Sequence, residues 1–354
     1  MASKKAFDIV LRHQVAIERL KAGYSKNYGK TLRQLDKEIR EILGSIKVKT
    51  MGELTKKQSL IVIKRLRDRQ ASVYSIYSKE LFKSLEELAV SEADFEASAL
   101  EKLFEGSIAI KIPSALVVVD RVFDRPLLGG ELLKPFVENW AEKEIAAVEK
   151  ATRRAYAEGW PLQRLVEVIG GTKQARYKDG ILGRNDNGAA MVARTAIQHV
   201  SQSARITMWE ANKSLLDGYK WLSTLDSRTT QACRSLDGEF FEFGKGPLPP
   251  IHPGCRSTTL PELNSKFDFD DGKGTRSSQF GSVPEKLTYY DWLKTQDSKF
   301  QDFAIGPTRG KLLRDGGLTS DEFARLNLGR NFEPLTHEEM KKKAPQAFEL
   351  AGLK

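Results

Sequence analysis

Apolar positions spaced three and four apart dominate the first quarter of the chain. Residues 6–46 read as one helix, punctuated near Gly23 and Gly29, with Leu32, Leu35, Ile39, Ile42 and Ile46 forming a packing seam. Leu54-Thr55 opens a second helix running to about Leu88, whose Leu60, Ile63, Tyr74, Tyr77, Leu81, Leu85 and Leu88 give a less regular apolar face. The two most simply pair as an antiparallel hairpin across residues 44–52, although a neighbouring protein could complete one seam instead. Tyr24, Tyr28, Tyr74 and Tyr77 could stack on bases, but at helical spacing they read first as core or seam.

Asp94 to Phe104 continues in helix, and Ile108, Ile110 and Ile112 then alternate as a short strand or extended linker. Ala115 to Val119 is a compact apolar run that suits a buried strand or the start of a helix reaching Phe123. Lys134 to Glu158 is amphipathic, with Phe136, Trp140, Ile145, Val148 and Ala155 on its buried side, and Gly159-Trp-Pro161 ends it. A short helix follows from Pro161. Residues 170–187 are polar and glycine-rich, a loop by composition, and from Gly188 a long helix places Ala189, Ala193, Ile197, Val200, Ala204 and Met208 on one stripe.

The pattern then switches period. Tyr219 to Leu225 alternates as a strand, Thr224 or Asp226 is placed to cap a short helix carrying Arg228 to Leu236, Asp237-Gly238 turns the chain, and Glu239 to Phe243 alternates again. A proline-rich excursion, Leu248-Pro-Pro-Ile-His-Pro-Gly-Cys255, returns His252 and Cys255 towards Cys233. Asn264 to Ser282, rich in Asp, Gly, Ser and Lys, reads as a flexible linker. The tail recovers apolar content at Trp292, Leu293, Phe300, Phe303, Leu312, Leu313, Phe323 and Leu326, with capping boxes at Thr319–Glu322 and Thr336–Glu339, and it needs a partner surface.

The resulting expectation is an α+β fold, mainly α. It comprises a basic N-terminal helical hairpin region (1–105), a helical middle domain (106–218), a strand-helix-strand unit closed by the Pro-rich loop (219–262), a linker (263–283) and a short helical tail (284–354).

Charge sharpens this picture. The net charge is +10, yet residues 1–85 hold twenty Lys and Arg against eight Asp and Glu, so the rest of the chain is slightly acidic. A basic helical arm suits a polyanion or an acidic protein surface, and equally a solvated helix face. No apolar run approaches the roughly 20 residues that cross a bilayer, and Met-Ala-Ser-Lys-Lys-Ala-Phe leads into a charged helix rather than a secretion signal, so we expect no membrane partner and a cytoplasmic site of assembly. Two cysteines argue against a disulfide framework.

Cys233, His252 and Cys255 are donors of the kind zinc prefers, with Asp226 as candidate fourth ligand; a Cys233–Cys255 disulfide or close thiol contact, and simple packing, are the alternatives. A nuclease reading would set His252 as general base beside Arg228, Arg234 or Arg256, but no second acid or base is identifiable. The plainer reading makes His252 an anchor and the arginines salt-bridge partners that hold the excursion down. His13, His199 and His337 show no companion ligands. Neither a phosphate loop at Gly170-Gly171 nor a serine hydrolase motif is present.

The stretch resembles the signature of the Mu F-like head morphogenesis proteins, minor head proteins of tailed bacteriophages, which show W-x-S-T-x-D-x-R-T, C-R-x-L-D-G and P-P-x-H-P-x-C-R. Trp221, Ser223, Thr224, Asp226, Arg228, Thr229, Cys233, Arg234, Leu236, Asp237, Gly238, Pro249, Pro250, His252, Pro253, Cys255 and Arg256 carry it, and Ala193-Arg194-Thr195 adds to it upstream. The likeness is strongest over residues 134–261, with a softer match at Gly306-Pro-Thr-Arg-Gly-Lys and Leu313-Arg-Asp-Gly-Gly-Leu. Many relatives carry a further cysteine in each half, where this chain has Thr230 and Ser257, which excludes a four-thiolate site; an acidic residue often found after Thr195 is Ala196 here.

The resemblance implies a non-enzymatic virion component built into the head near the portal vertex during procapsid assembly. Its implied partners are the portal protein and other head proteins, and in some relatives DNA, whose retention or ejection it influences. The basic N-terminal helices are the segment that would meet double-stranded DNA. A DNA-binding protein in its own right is the alternative, and a metal-independent nuclease the more distant one. No cofactor is implied beyond a structural zinc.

Overall fold

The computed structural model describes residues 2–127, 129–267 and 274–353, with the side chains of 2–5, 25, 27–29, 32 and 184–187 left out. The side chains of Leu32 and Tyr28 therefore lie outside the described residues.

Helix α1 (Ala2–Gly44) runs unbroken through Gly23 and Gly29. A mid-helix glycine costs about 1 kcal/mol relative to alanine, which tertiary packing readily offsets. Leu35, Ile39 and Leu43 are fully covered, whereas Ile42 and Ile46 lie at the rim of the core. Helix α2 (Lys56–Leu103) starts at a Thr55–Gln58 capping box. It continues well past Leu88 because Ala89, Ala93, Ala97 and Leu100 extend its buried stripe. Arg69 pairs with Glu38 and His13 bonds Glu92 at 2.6 Å, pairings that run in opposite directions along the two helices. The hairpin is therefore antiparallel, and it closes on its own chain.

Among the described residues, 108–112 pair with no strand, and Ser114 caps α3 (Ala115–Asp124), which resolves the ambiguous apolar run as helix. Helices α4 (Leu133–Ala157) and α5 (Leu162–Gly170) lead to α6 (Ile181–Ala211), which packs against α1 to α5. The segment that reads as loop up to residue 187 joins this helix from Ile181, because Ile181 and Leu182 are buried and outweigh the polar, glycine-rich composition around them. The stripe from Ala189 to Met208 is fully buried as its spacing predicts.

One edge of α6 is polar and buried. Gln202 and Arg205 reach the third strand of a small sheet and Gln198 the residue just before it, while Glu96 of α2 holds Arg205 at 2.7 Å and Trp209 Nε1 at 3.0 Å. These bonds satisfy charges that would otherwise be costly to bury.

That sheet is antiparallel in the order β2-β1-β3, from β1 (Leu216–Leu222), β2 (Phe240–Phe241) and β3 (Thr258–Leu263). The expected strands shift: the first begins and ends three residues earlier, the second shrinks to two, and β3 has no counterpart in the sequence reading. Pro261 argues against a strand there, yet β3 is an edge, where a missing N–H is tolerated. Within the stretch that reads as flexible linker, β4 (Thr275–Ser278) and β5 (Gly281–Pro284) form a hairpin.

The tail helices are α8 (Tyr289–Lys294), α9 (Ser298–Ile305), α10 (Pro307–Asp315), α11 (Ser320–Leu326), α12 (His337–Lys343) and α13 (Pro345–Leu350). They enclose a second core of Tyr289, Trp292, Leu293, Leu312, Phe323, Met340 and Phe348, with Leu225 inserted from the sheet unit. Both expected capping boxes form. Phe303 departs from the expectation and faces solvent. The fold is mostly helical with small antiparallel sheets, and among the described residues no helix is long and apolar enough to cross a membrane.

Candidate functional site

The end of β1 builds the site. Trp221 is fully buried and its Nε1 donates to Ser223 Oγ at 2.9 Å, while Ser223 Oγ donates to the Cys233 carbonyl at 2.6 Å. Neither Thr224 nor Asp226, the two candidates in the sequence, caps a helix from Arg228. Instead the Asp226 carboxylate folds a turn, accepting from the backbone N–H of Arg228 and of Thr229 at 3.0 Å each and from Thr229 Oγ1 at 3.0 Å. The helix itself, α7 (Gln231–Leu236), starts later with Thr230 as its N-cap. Gly238 then adopts φ +88°, a region that favours glycine, and its N–H returns to the Trp221 carbonyl at 2.9 Å.

The Pro-rich excursion, with a cis bond between Pro249 and Pro250, comes back over α7. His252 Nε2 lies 3.2 Å from Cys233 Sγ, and Cys233 Sγ lies 3.7 Å from Cys255 Sγ. His252 Nδ1 donates to the Pro253 carbonyl at 3.0 Å, so Nε2 is the nitrogen facing the sulfurs. Both thiols are buried and unbridged. A hydrogen bond from Cys233, aided by His252, pulls the Cys255 thiol well below its usual range against its burial. The same contact, with burial, pushes Cys233 up. Burial would depress the imidazole, but the Cys255 sulfur outweighs it and holds His252 above its ordinary value.

Four other parts of the chain hold this knot. From α6, Thr195 Oγ1 accepts from the Gly254 N–H at 3.0 Å and Gln198 Nε2 donates to the Ser257 carbonyl at 2.7 Å. From α1, the buried Lys21 reaches the Cys255 carbonyl at 3.5 Å and also bonds Gln198; burial lowers its pKa. From the β4–β5 hairpin, buried Arg276 grips Asp237 at 2.9 and 3.1 Å and donates to the carbonyls of Ser223 and Leu287. Tyr289 adds a bond to the Asp226 carbonyl at 2.8 Å. Of these, the sequence motif includes only Thr195, and Lys21 and Arg276 carry no local pattern that marks them.

The arginines sort clearly. Arg256 grips Asp226 with two bonds of 2.6 and 2.8 Å. Arg234 is buried, donating to the Ser227 carbonyl and lying over the Tyr289 ring at 5.3 Å. Arg228 alone is open to solvent. Of the three candidate guanidiniums for a phosphate, Arg234 and Arg256 are thus directed at protein partners.

For a metal, Cys233, His252 and Cys255 present donor atoms within 4.8 Å of one another. Asp226, the candidate fourth ligand, stands outside this group because Arg256 and the 226–229 turn engage both its oxygens. Thr230 and Ser257 place hydroxyls beside Cys233 where relatives would have thiols. A cavity of about 40 Å³ lined by Thr230, Cys233, His252 and Ser257 has room for one small ligand. A larger cavity, about 330 Å³, is bounded by Phe7, Lys220, Glu262 and Lys286, and none of the three donors lines it.

No curated protein and no solved structure matches the chain. Residues 146–260, from within α4 to the third residue of β3, match the family described as Phage Mu protein F like protein, which bears out the resemblance in the sequence.

Proposed function

We propose that the protein is a non-enzymatic minor head component of a tailed phage, built into the head at the portal vertex and acting in assembly and in DNA retention or ejection. The family match over residues 146–260 supports a head-morphogenesis role. One observation favours scaffolding over catalysis: the matched segment, which includes α6, is the junction on which α1, the hairpin and the tail converge, and the knot's carboxylates Asp226 and Asp237 are both committed to arginines. In the infected host the protein would begin in the cytoplasm and end in the virion, with the portal and neighbouring head proteins as partners. Co-expression with the portal protein of the same phage tests this directly. The two should co-purify, and the protein should remain in purified heads. Heads that lack it, or a portal that never retains it, would refute the assignment. Incubation with duplex DNA across divalent metals should leave the DNA intact; cleavage that disappears in folded His252→Ala would favour a nuclease.

The same knot suits a structural zinc ion. Two thiolates on one tetrahedral zinc, with Zn–S of about 2.3 Å, stand roughly 3.8 Å apart, whereas a disulfide requires about 2.05 Å. The observed sulfur separation of 3.7 Å is too long for a disulfide and fits the former as it fits a thiol hydrogen bond. Cys233, His252 and Cys255 would hold the ion, with a water or the Thr230 or Ser257 hydroxyl completing four donors. Bound there, zinc would cross-link α7 to the Pro-rich excursion.

A further inference from the structure

The basic surplus of the N-terminal region resolves into one line. On α1 the exposed cations between residues 12 and 37 are Arg12, Arg19, Lys26, Lys30, Arg33 and Lys37. At 100° per residue these six fall within a sector of about 60°, and at 1.5 Å per residue they span about 38 Å. No acidic residue enters the sector between Arg12 and Lys37, and the neighbouring acids are occupied elsewhere. Glu18 pairs with Lys21, Asp36 with Arg40 and Glu38 with Arg69. Asp8 lies on the same line but one turn before Arg12, at its end. Among the described residues none of the six stripe cations is in an ion pair.

The second helix behaves differently. Lys64 pairs with Asp68, Arg67 with Glu142 and Glu149, and Arg69 with Glu38, and over its length eight Asp and Glu nearly balance nine Lys and Arg.

We infer that this stripe on α1 is a docking surface for the phosphate backbone of duplex DNA, an assignment that rests on the DNA-contact reading above and places it on one helix face. Charge complementarity selects the occupant. A protein partner needs an apolar patch at the centre of its interface, with charge confined to the rim. Here Val15 is the sole large apolar side chain exposed within the stripe. A row of unpaired, flexible cations with so little apolar surface between them suits a regular polyanion instead, and its length is close to one turn of B-form duplex, about 34 Å. Contacts of this kind position DNA without reading its sequence.

The test titrates the full-length protein against a fluorescent 30-base-pair duplex at several sodium chloride concentrations. If about five of the six cations meet phosphates, log K falls with log salt at a slope of roughly −4 to −5. Lys26→Gln/Lys30→Gln/Arg33→Gln should make the slope shallower by about 2.5 and weaken binding on the order of 10²-fold at 0.1 M salt. All three side chains are exposed, so circular dichroism should show unchanged helicity. Lys56→Gln/Lys57→Gln/Lys64→Gln on α2 alters net charge equally and should change affinity by less than about threefold.

A stripe variant with the wild-type slope overturns the assignment, as does an α2 variant that loses as much, which would reduce the effect to net charge. Competition by polyglutamate as strong, per charge, as by DNA would point to an acidic protein instead. Wild-type protein that fails to bind DNA at low salt sinks the DNA-contact reading itself, while portal co-purification would stand unaffected.

Discussion

Arg276 and Asp237 form an ion pair whose disruption has a calculable consequence. Both side chains are almost wholly removed from solvent, and they join a hairpin in the 263–283 region to the residue that ends α7. Asp237 also accepts from the Ser223 N–H at 2.6 Å, so the pair lies inside a network that closes the end of β1. Removing one partner of such a pair leaves the other charge buried and uncompensated, at a cost of about 3–5 kcal/mol. Asp237→Ala and Arg276→Met should each lose about that much. With a urea m-value of about 2–3 kcal/mol/M, the midpoint would fall by about 1–2 M. The double variant should cost little more than the worse single change, because each single change already contains the penalty of the orphaned partner. The assay is urea unfolding followed by tryptophan fluorescence, for which Trp221 in the knot and Trp292 in the tail core report on either side of the pair. Single losses below about 1 kcal/mol that simply add would refute the reasoning, since they would mean that the hairpin and the knot are not coupled through this contact.

His199 gives a pH prediction. Burial, with Arg125 nearby, pushes its pKa down to about 4 despite the bond from Nε2 to the Val122 carbonyl at 3.2 Å. Between about 4 and 6.5 the unfolded chain binds this proton and the folded one does not. The contribution is therefore complete above pH 6.5 and is lost as pH falls towards 4, by about 3 kcal/mol in all. His199→Gln should flatten that part of the stability profile, and an unchanged profile would exclude His199 as its source. For the proposed zinc, elemental analysis of purified protein should find one equivalent, lost in Cys255→Ser; wild-type protein free of metal would return the knot to a thiol contact.

The sequence makes some of this architecture plain for physical reasons. Capping boxes at Thr55, Thr319 and Thr336 act within four residues, so they are visible without the fold. The convergence of Cys233, His252 and Cys255 is legible because a proline-rich turn of limited reach separates them. Lys21 and Arg276 are not. A lysine on a charged helix and an arginine in a polar stretch look like surface residues, and only partners far away in the chain make them interior. Pro261 hides the third strand, and its penalty vanishes at a sheet edge. Helix α6 reads as one apolar stripe, while its second, polar edge depends on strand residues about 55 positions later, such as Thr258 and Thr259.

Lys21 bonds the carbonyl of a residue 234 positions further on. At roughly 5–20 residues per second of synthesis, about 10 to 50 s separate the emergence of the two. Throughout that interval the first helix can pair with α2 and Lys21 can pair with Glu18 one turn before it, but the Cys255 carbonyl that completes its burial does not yet exist. The nascent chain is thus held back from final closure until its sheet unit leaves the ribosome, and a fragment ending before β3 would retain a wet, unfinished face where the complete protein is dry.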